Sequence, residues 1–206
     1  MSFFAFQNGL MTQWHRIQDG VFLVTTNAQE REPWCVNRGV PEIIISTLEL
    51  VKRIQRAKVY AFCILPDHMH IILEPGERGL SAFMKSFKEN SSREIRRYRK
   101  RSIDALSFLH GNAVPPVVSG DVDVSADDIG VENTATNKPL TIARKYGGGV
   151  FTGWQHGFHA QRIAQDDHLK NALRYVERNA CRHHLVRSAK DWPWTSLHFG
   201  EAIDDQ

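Results

Sequence analysis

Two histidines with one residue between them, His68 and His70, stand in the run Tyr60-Ala61-Phe62-Cys63-Ile64-Leu65-Pro66-Asp67-His68-Met69-His70-Ile71-Ile72-Leu73. Successive side chains of a β-strand point to opposite faces, so both imidazoles project together with Ile72 and can serve one metal ion. Much later, Tyr175 and Asn179 are four residues apart, which on a helix places them one turn from each other on the same face. Tyr60, Tyr98 and Tyr146 have Ile64, Ser102 and Val150 at that offset, so Tyr175 alone among the four tyrosines has a carboxamide beside it. An Asn oxygen is a hard, neutral ligand, and with two imidazoles it makes a three-ligand site that leaves positions open for phosphate oxygens and water. Each half also has a plainer reading. An H-x-H triplet arises easily in a chain with ten histidines, and Tyr175 and Asn179 suit an amphipathic boundary residue and a helix C-cap.

These residues have to be positioned by recognisable elements. Gly20 to Asn27 is rich in β-branched and aromatic residues and reads as a first strand. Pro41 suits the first turn of a helix in which Ile44, Leu48, Val51 and Ile54 recur at helical spacing up to about Lys58. Val59 to Leu65 is nearly all apolar, as a central strand would be, and Pro66-Asp67 turns it into the strand His68 to Glu74. The histidines are thus expected on an antiparallel hairpin with a helix behind it.

From Leu80 the apolar positions Leu80, Phe83, Met84, Phe87, Ile95 and Tyr98 keep a helical stripe. Periodicity is lost from about 107 to 145, where Asp121, Asp123, Asp127, Asp128 and Glu132 occur without Lys or Arg between 119 and 132; this reads as a poorly structured acidic insertion. Order returns at Gly147-Gly148-Gly149, with a strand expected through Phe158 and Ile163. A helix capped by Asp166 follows, with Asp167 in its first turn and Leu169, Leu173, Val176 and Ala180 on its apolar face. Trp192 and Trp194 are expected to close the core.

The 206 residues fit a single domain, 1–206, with a core of ordinary size. No apolar run approaches a membrane span and the N-terminus lacks the pattern of a signal peptide, so a cytoplasmic location without membrane contact is expected. Cys35, Cys63 and Cys181 are widely separated and form neither a disulfide framework nor a zinc ribbon. Net charge is only +3, but Lys85, Lys88, Arg93, Arg96, Arg97, Arg99, Lys100 and Arg101 crowd one stretch against only Glu89 and Glu94. That basic stripe favours a phosphate-bearing partner, nucleic acid above all.

Pro66-Asp67-His68-Met69-His70 resembles the P-[ND]-H-x-H segment of the HUH single-stranded DNA nucleases. Trp154-Gln155, Arg174-Tyr175-Val176-Glu177-Arg178-Asn179 and Trp192-Pro193-Trp194-Thr195-Ser196 are similar to the later landmarks of the Y1 branch, in particular the IS200-like, REP-associated tyrosine transposases. The resemblance spans roughly Val21 to Leu197. It implies an α+β, ferredoxin-like core with helices packed on an antiparallel sheet. It also implies that His68, His70 and Asn179 hold a divalent cation, Mg2+ or Mn2+, and that Tyr175 is the nucleophile of a DNA endonuclease and strand transferase working through a 5′-phosphotyrosine. The implied partners are single-stranded or hairpin DNA from palindromic repeats, with the protein a monomer or homodimer. Lys85, Lys88, Arg93, Arg96, Arg97, Arg162 and Arg178 are the candidate backbone contacts, and Trp154 a candidate stacking residue. The chain departs from the family pattern N-P-x-R-A in reading Asn179-Ala180-Cys181-Arg182-His183, and without that proline the helix is expected to run further. His183 and His184 are alternative ligands or exposed helix-end residues. Two other functions remain open at this point: a hairpin-binding protein without turnover, and a metallohydrolase of small substrates.

Overall fold

The computed structural model describes residues 19–109, 138–200 and 203–204, with side chains throughout except at 104–109. Four strands, β1 (Val21–Asn27), β2 (Lys58–Ile64), β3 (His68–Glu74) and β4 (His159–Ile163), form one antiparallel sheet in the order β2-β3-β1-β4. Helix α1 (Val40–Gln55) joins β1 to β2, and α2 (Gly79–Leu109) with α3 (Lys138–Tyr146) lies between β3 and β4. The β1-α1-β2-β3-α2-β4 succession with this strand order is the ferredoxin-like arrangement expected. After β4 come α4 (Asp166–Glu177) and the short α5 (Asn179–Arg182).

Period-two burial in β1 sends Phe22, Val24 and Thr26 to one face and Leu23, Thr25 and Asn27 to the other. Register then assigns the histidines: Thr25 lies opposite His70 and Asn27 opposite His68, so both imidazoles share the second face, which α4 covers. The first face is left to α1 and α2, whose Ile44, Leu48, Val51, Phe83 and Phe87 are wholly buried. Ile54 does not join that stripe. It is 65% exposed, because Gln55, four residues after Val51, takes the buried position, with its amide donating to the Ala82 carbonyl at 3.2 Å.

The turn at Pro66-Asp67 is closed by the Leu65 N–H donating to the His68 carbonyl at 2.8 Å. It is also tied to the chain beyond β1. Ala28 N–H donates to the Asp67 carbonyl at 2.8 Å and Cys35 N–H to the Pro66 carbonyl at 2.9 Å. The open edge of β2 is covered by the C-terminal segment. Ile64 N–H donates to the Trp194 carbonyl at 2.9 Å, the Trp192 indole N–H to the Ile64 carbonyl at 2.7 Å, and Cys63 bridges Thr195. These bonds satisfy edge groups that would otherwise invite another strand. Both tryptophans are buried, as their place at the end of the core requires.

The segment 107–145 is shorter as an insertion than its composition suggests. α2 continues to Leu109, and residues 138–146 form α3, with Ile142 buried and the Tyr146 hydroxyl donating to the Leu185 carbonyl at 2.9 Å. Nine residues with few apolar positions hide their helical period from a sequence reading. The acidic run 119–132 lies outside the described residues. At the start of α4 the cap residue is Gln165, not Asp166, and no side chain bonds there; Asp166 and Asp167 both fall in the first turn, where their charge suits the dipole.

Candidate active site

His68 and His70 occupy the start of β3, are 4% and 6% exposed, and their rings meet edge to face with centroids 5.0 Å apart. Each has its Nδ1 engaged. His68 Nδ1–H donates to Asp67 Oδ1 at 2.6 Å, and Asp67 Oδ2 is held in turn by Arg31 Nε at 2.9 Å. Burial alone would raise the Asp67 carboxyl, but the hydrogen bond and charge of His68, with Arg31, hold it below the usual carboxylate range. His70 Nδ1 lies 2.9 Å from Thr25 Oγ1, its cross-strand neighbour. Burial, reinforced by the positive field of His68, His183 and Arg31, pushes His70 down to about 3, so its ring is neutral at pH 7. With Nδ1 partnered in both rings, Nε2 is the nitrogen left to act as a ligand, the usual consequence of an outer hydrogen bond that fixes the imidazole.

Helix α4 brings the nucleophile candidate onto this pair. Leu173 and Val176 are its buried residues, and Tyr175 between them is half-buried with its ring 5.4 Å from that of His70. Helical hydrogen bonding continues past Glu177. Arg178 has φ −93° and ψ 8°, but Arg178 N–H still donates to the Arg174 carbonyl at 3.1 Å and Arg182 N–H to the Arg178 carbonyl at 3.0 Å. These two bonds bridge the junction, but α4 ends at Glu177 and Arg178 caps a separate short α5, so the longer single helix expected without the proline is interrupted there. His183, one further turn along, sets its ring 5.2 Å from His68. Tyr175, Asn179 and His183 therefore follow one another at four-residue steps, the outer two against His70 and His68.

Asn179 between them is wholly buried, and neither its Oδ1 nor its Nδ2 has a hydrogen-bond partner. Among the described residues Trp34 Nε1 and Thr26 Oγ1 share that state, the latter on the opposite sheet face. An orphaned buried amide costs about 1–3 kcal/mol, so it calls for an explanation. A divalent cation would supply one: two imidazole nitrogens and a carboxamide oxygen suit such an ion, and Asp67 and Thr25 already hold the other ring nitrogen of each histidine. Among the described residues no three His, Cys, Asp or Glu side chains are grouped to hold a metal.

Of the other sequence candidates, Arg178 lies in the immediate surroundings of Tyr175. It lines an open trough of about 470 Å3 with Asn171, Arg174, Tyr175, Cys181 and Arg182. The α2 residues do not line it. There, Lys85 pairs with Glu89 at 4.0 Å and Arg97 with Glu94 at 2.7 Å; Arg93 also reaches Glu94, at 3.8 Å; and Arg96 lies over the Phe151 ring at 5.6 Å. Lys88 is turned inward to the carbonyls of Gln155 and Gly157, and burial lowers its amine below the usual lysine range. Arg162 is exposed on β4 opposite Phe22. Trp154 is 8% exposed, packs edge-on against Trp34 with centroids 4.8 Å apart, and donates its indole N–H to Ser91 Oγ at 2.9 Å; its rings belong to the core.

Thr25, Arg31 and Arg182 did not stand out in the sequence. Asp67 was visible as a neighbour of the histidines. Thr25 emerges only once the β1–β3 register is known, and Arg31 only once Glu30 and Arg31, at φ 58° and 61°, fold the chain back over the turn.

The architecture is a ferredoxin-like sheet with a histidine pair on one strand and a tyrosine-bearing helix across it. Residues 22–109, from β1 to the end of α2, match the family model described as "Transposase IS200 like". A putative REP-associated tyrosine transposase of Haemophilus influenzae (strain ATCC 51907 / DSM 11121 / KW20 / Rd) is 25% identical over 145 residues. That match takes in 67% of this chain, and the chain spans only 57% of the length of that relative. A solved structure of a REP-associated tyrosine transposase bound to a REP hairpin has the same fold, at TM-score 0.56 and 16% identity over 92% of this chain and 84% of that one. The chain thus resembles the IS200-like transposases and, among them, the REP-associated tyrosine transposases. No helix among the described residues is long and apolar enough to cross a membrane.

Proposed function

We propose that this protein is a member of the REP-associated Y1 transposase group that binds hairpin DNA of palindromic repeats and cuts and rejoins its unpaired strand through Tyr175. The observation that carries the proposal is the meeting of the Tyr175 ring with that of His70 under a helix whose next turn buries the unpartnered Asn179 amide. The fold likeness to a hairpin-bound REP-associated transposase supports the choice of DNA.

In this reading the Tyr175 hydroxyl oxygen attacks a backbone phosphorus of the strand. The phosphorus–O3′ bond breaks, the phenolic proton passes to water, and the departing 3′ oxygen takes one up as a free hydroxyl. A phenol, with a pKa of about 10, is a poor nucleophile at neutral pH. His68, His70 and Asn179 are the residues that would hold Mg2+ or Mn2+, which when bound draws charge from the non-bridging oxygens and makes the phosphorus more electrophilic. Packing against His70 limits the swing of the Tyr175 ring, which aids in-line approach. The phosphoester is retained in the covalent link, so attack by a 3′-hydroxyl rejoins the strand without ATP.

The test is incubation with Mn2+ and hairpin oligonucleotides made from inverted repeats flanking the gene. The expected products are a free 3′-hydroxyl on one fragment and a protein-blocked 5′ end on the other. Hairpin binding without any cleavage, for every repeat tried, would leave a DNA-binding protein without turnover; hydrolysis of a small ester with no oligonucleotide binding would favour a metallohydrolase.

A further inference from the structure

Arg174 in α4, Arg178 at the α4–α5 junction and Arg182 in α5 follow one another at four-residue steps and all line the trough that holds Tyr175. Such steps stack side chains on one helix face, about 6 Å apart along the axis at 1.5 Å per residue. The hydrogen bonds that carry the helical course through Arg178 keep the row in line.

The row is electrostatically uncompensated. Asn171, Tyr175 and Cys181 complete the lining, which contains no carboxylate, and none of the three guanidiniums has an ion-pair partner among the described residues. Arg31, Arg93 and Arg97 elsewhere each have an acidic neighbour within 4.0 Å. Like charges at four-residue spacing on a helix repel by a few tenths of a kcal/mol, about 0.2–0.5 per pair. A bound anion removes that repulsion. Tyr175 is placed within the row, and the Arg182 guanidinium lies 5.2 Å from its ring centroid. Evenly spaced guanidiniums are matched by a linear polyanion, since each planar fork takes two oxygens of one phosphate.

We propose that Arg174, Arg178 and Arg182 form the track for the unpaired DNA strand entering the site, each holding one of the successive backbone phosphates that flank the Tyr175 hydroxyl. The proposal rests on the strand-cleaving reading above and adds where the strand lies. The track is separate from α2, none of whose residues line the trough.

The test uses the full chain carrying Tyr175→Phe, an unstructured oligothymidylate, and a blunt hairpin without a tail. Binding is followed over a range of salt concentrations. Each of Arg174→Gln, Arg178→Gln and Arg182→Gln is expected to lower the slope of log K against log [salt] for oligothymidylate by about 0.7, with the slope for the blunt hairpin unchanged. Lys58→Gln, which removes an exposed cation at the start of β2, leaves both slopes as they were. A second readout needs no arginine substitution. Cys181 lines the trough while Cys35 and Cys63 are buried, so saturating oligothymidylate is expected to slow alkylation of Cys181 several-fold. Unchanged slopes in all three variants, or undiminished alkylation at saturation, overturn the track. If they occur while the same chain with Tyr175 restored forms a covalent adduct with a hairpin oligonucleotide, only the track falls; absence of both DNA binding and adduct in the unsubstituted protein removes the strand-cleaving reading with it.

Discussion

His70 and Asn179 carry measurable consequences of their burial. His70 is held at about 3 by burial and by the positive groups facing it, His68, His183 and Arg31, whereas an unfolded imidazole titrates near 6.5. Its contribution to stability is therefore fully present above about pH 6.5 and is lost as pH falls toward 3. Asp67, whose carboxyl is also depressed, adds to the loss only lower down. Thermal melts of the metal-free protein between pH 8 and pH 4 are expected to show stability falling below about 6.5, with a flatter profile in His70→Asn; equal slopes in both would contradict the assignment. Asn179 gives a second outcome. Its two orphaned atoms make the metal-free amide a liability, so Asn179→Leu, an apolar residue of similar size, is expected to raise the metal-free stability by about 1–3 kcal/mol. The same change should abolish any upward shift of the melting temperature by Mn2+. A variant destabilised without metal, or still stabilised by Mn2+, would sink the third-ligand role.

At the scale of elements, much of the fold was legible because the signals were local. The Pro66-Asp67 turn between two apolar runs, the Pro41 helix and the Leu80 to Ile95 stripe all appear where the residue types require them. What stayed hidden depends on register and on long contacts. The spacing of His68 and His70 put them on one face, but which helix covers that face depends on the order β2-β3-β1-β4. Trp154 reads equally well as a stacking residue or a core residue until its contacts with Trp34 and Ser91 are seen. The basic stretch 85–101 was the plainest charge signal, yet the arginines around Tyr175 are dispersed through a mixed sequence and gather only on the helix. The C-terminal segment that covers β2 gives a prediction of its own. Trp192 is wholly buried and bonds the Ile64 carbonyl, so Trp192→Ala is expected to destabilise by about 3–5 kcal/mol. Chemical denaturation reads it, and a loss below about 1 kcal/mol would mean the segment is not part of the cooperative core. Gly76 is similarly constrained: a Cβ there would lie 1.8 Å from the Gln55 carbonyl oxygen, so Gly76→Ala must push α1 and the β3–α2 turn apart and is expected to cost about 1–3 kcal/mol.

For the whole molecule, the sheet separates two kinds of work. One face and α1 and α2 provide a large apolar core; the other presents the histidine pair to α4 and α5, which carry Tyr175 and the arginine row. The family match over residues 22–109 takes in His68 and His70 and ends before Tyr175, so the histidine half is supported by that likeness and the tyrosine half by the helix geometry. In the proposed reaction the two halves act together on one phosphate. Its most direct measurement is mass spectrometry of peptides recovered after incubating the protein with Mn2+ and a cleavable hairpin oligonucleotide. The expected result is a nucleotide mass on the peptide containing Tyr175, absent when Mn2+ is chelated and absent from Tyr175→Phe; an adduct on another residue, or one of equal yield in Tyr175→Phe, would rule out Tyr175 as the attacking group.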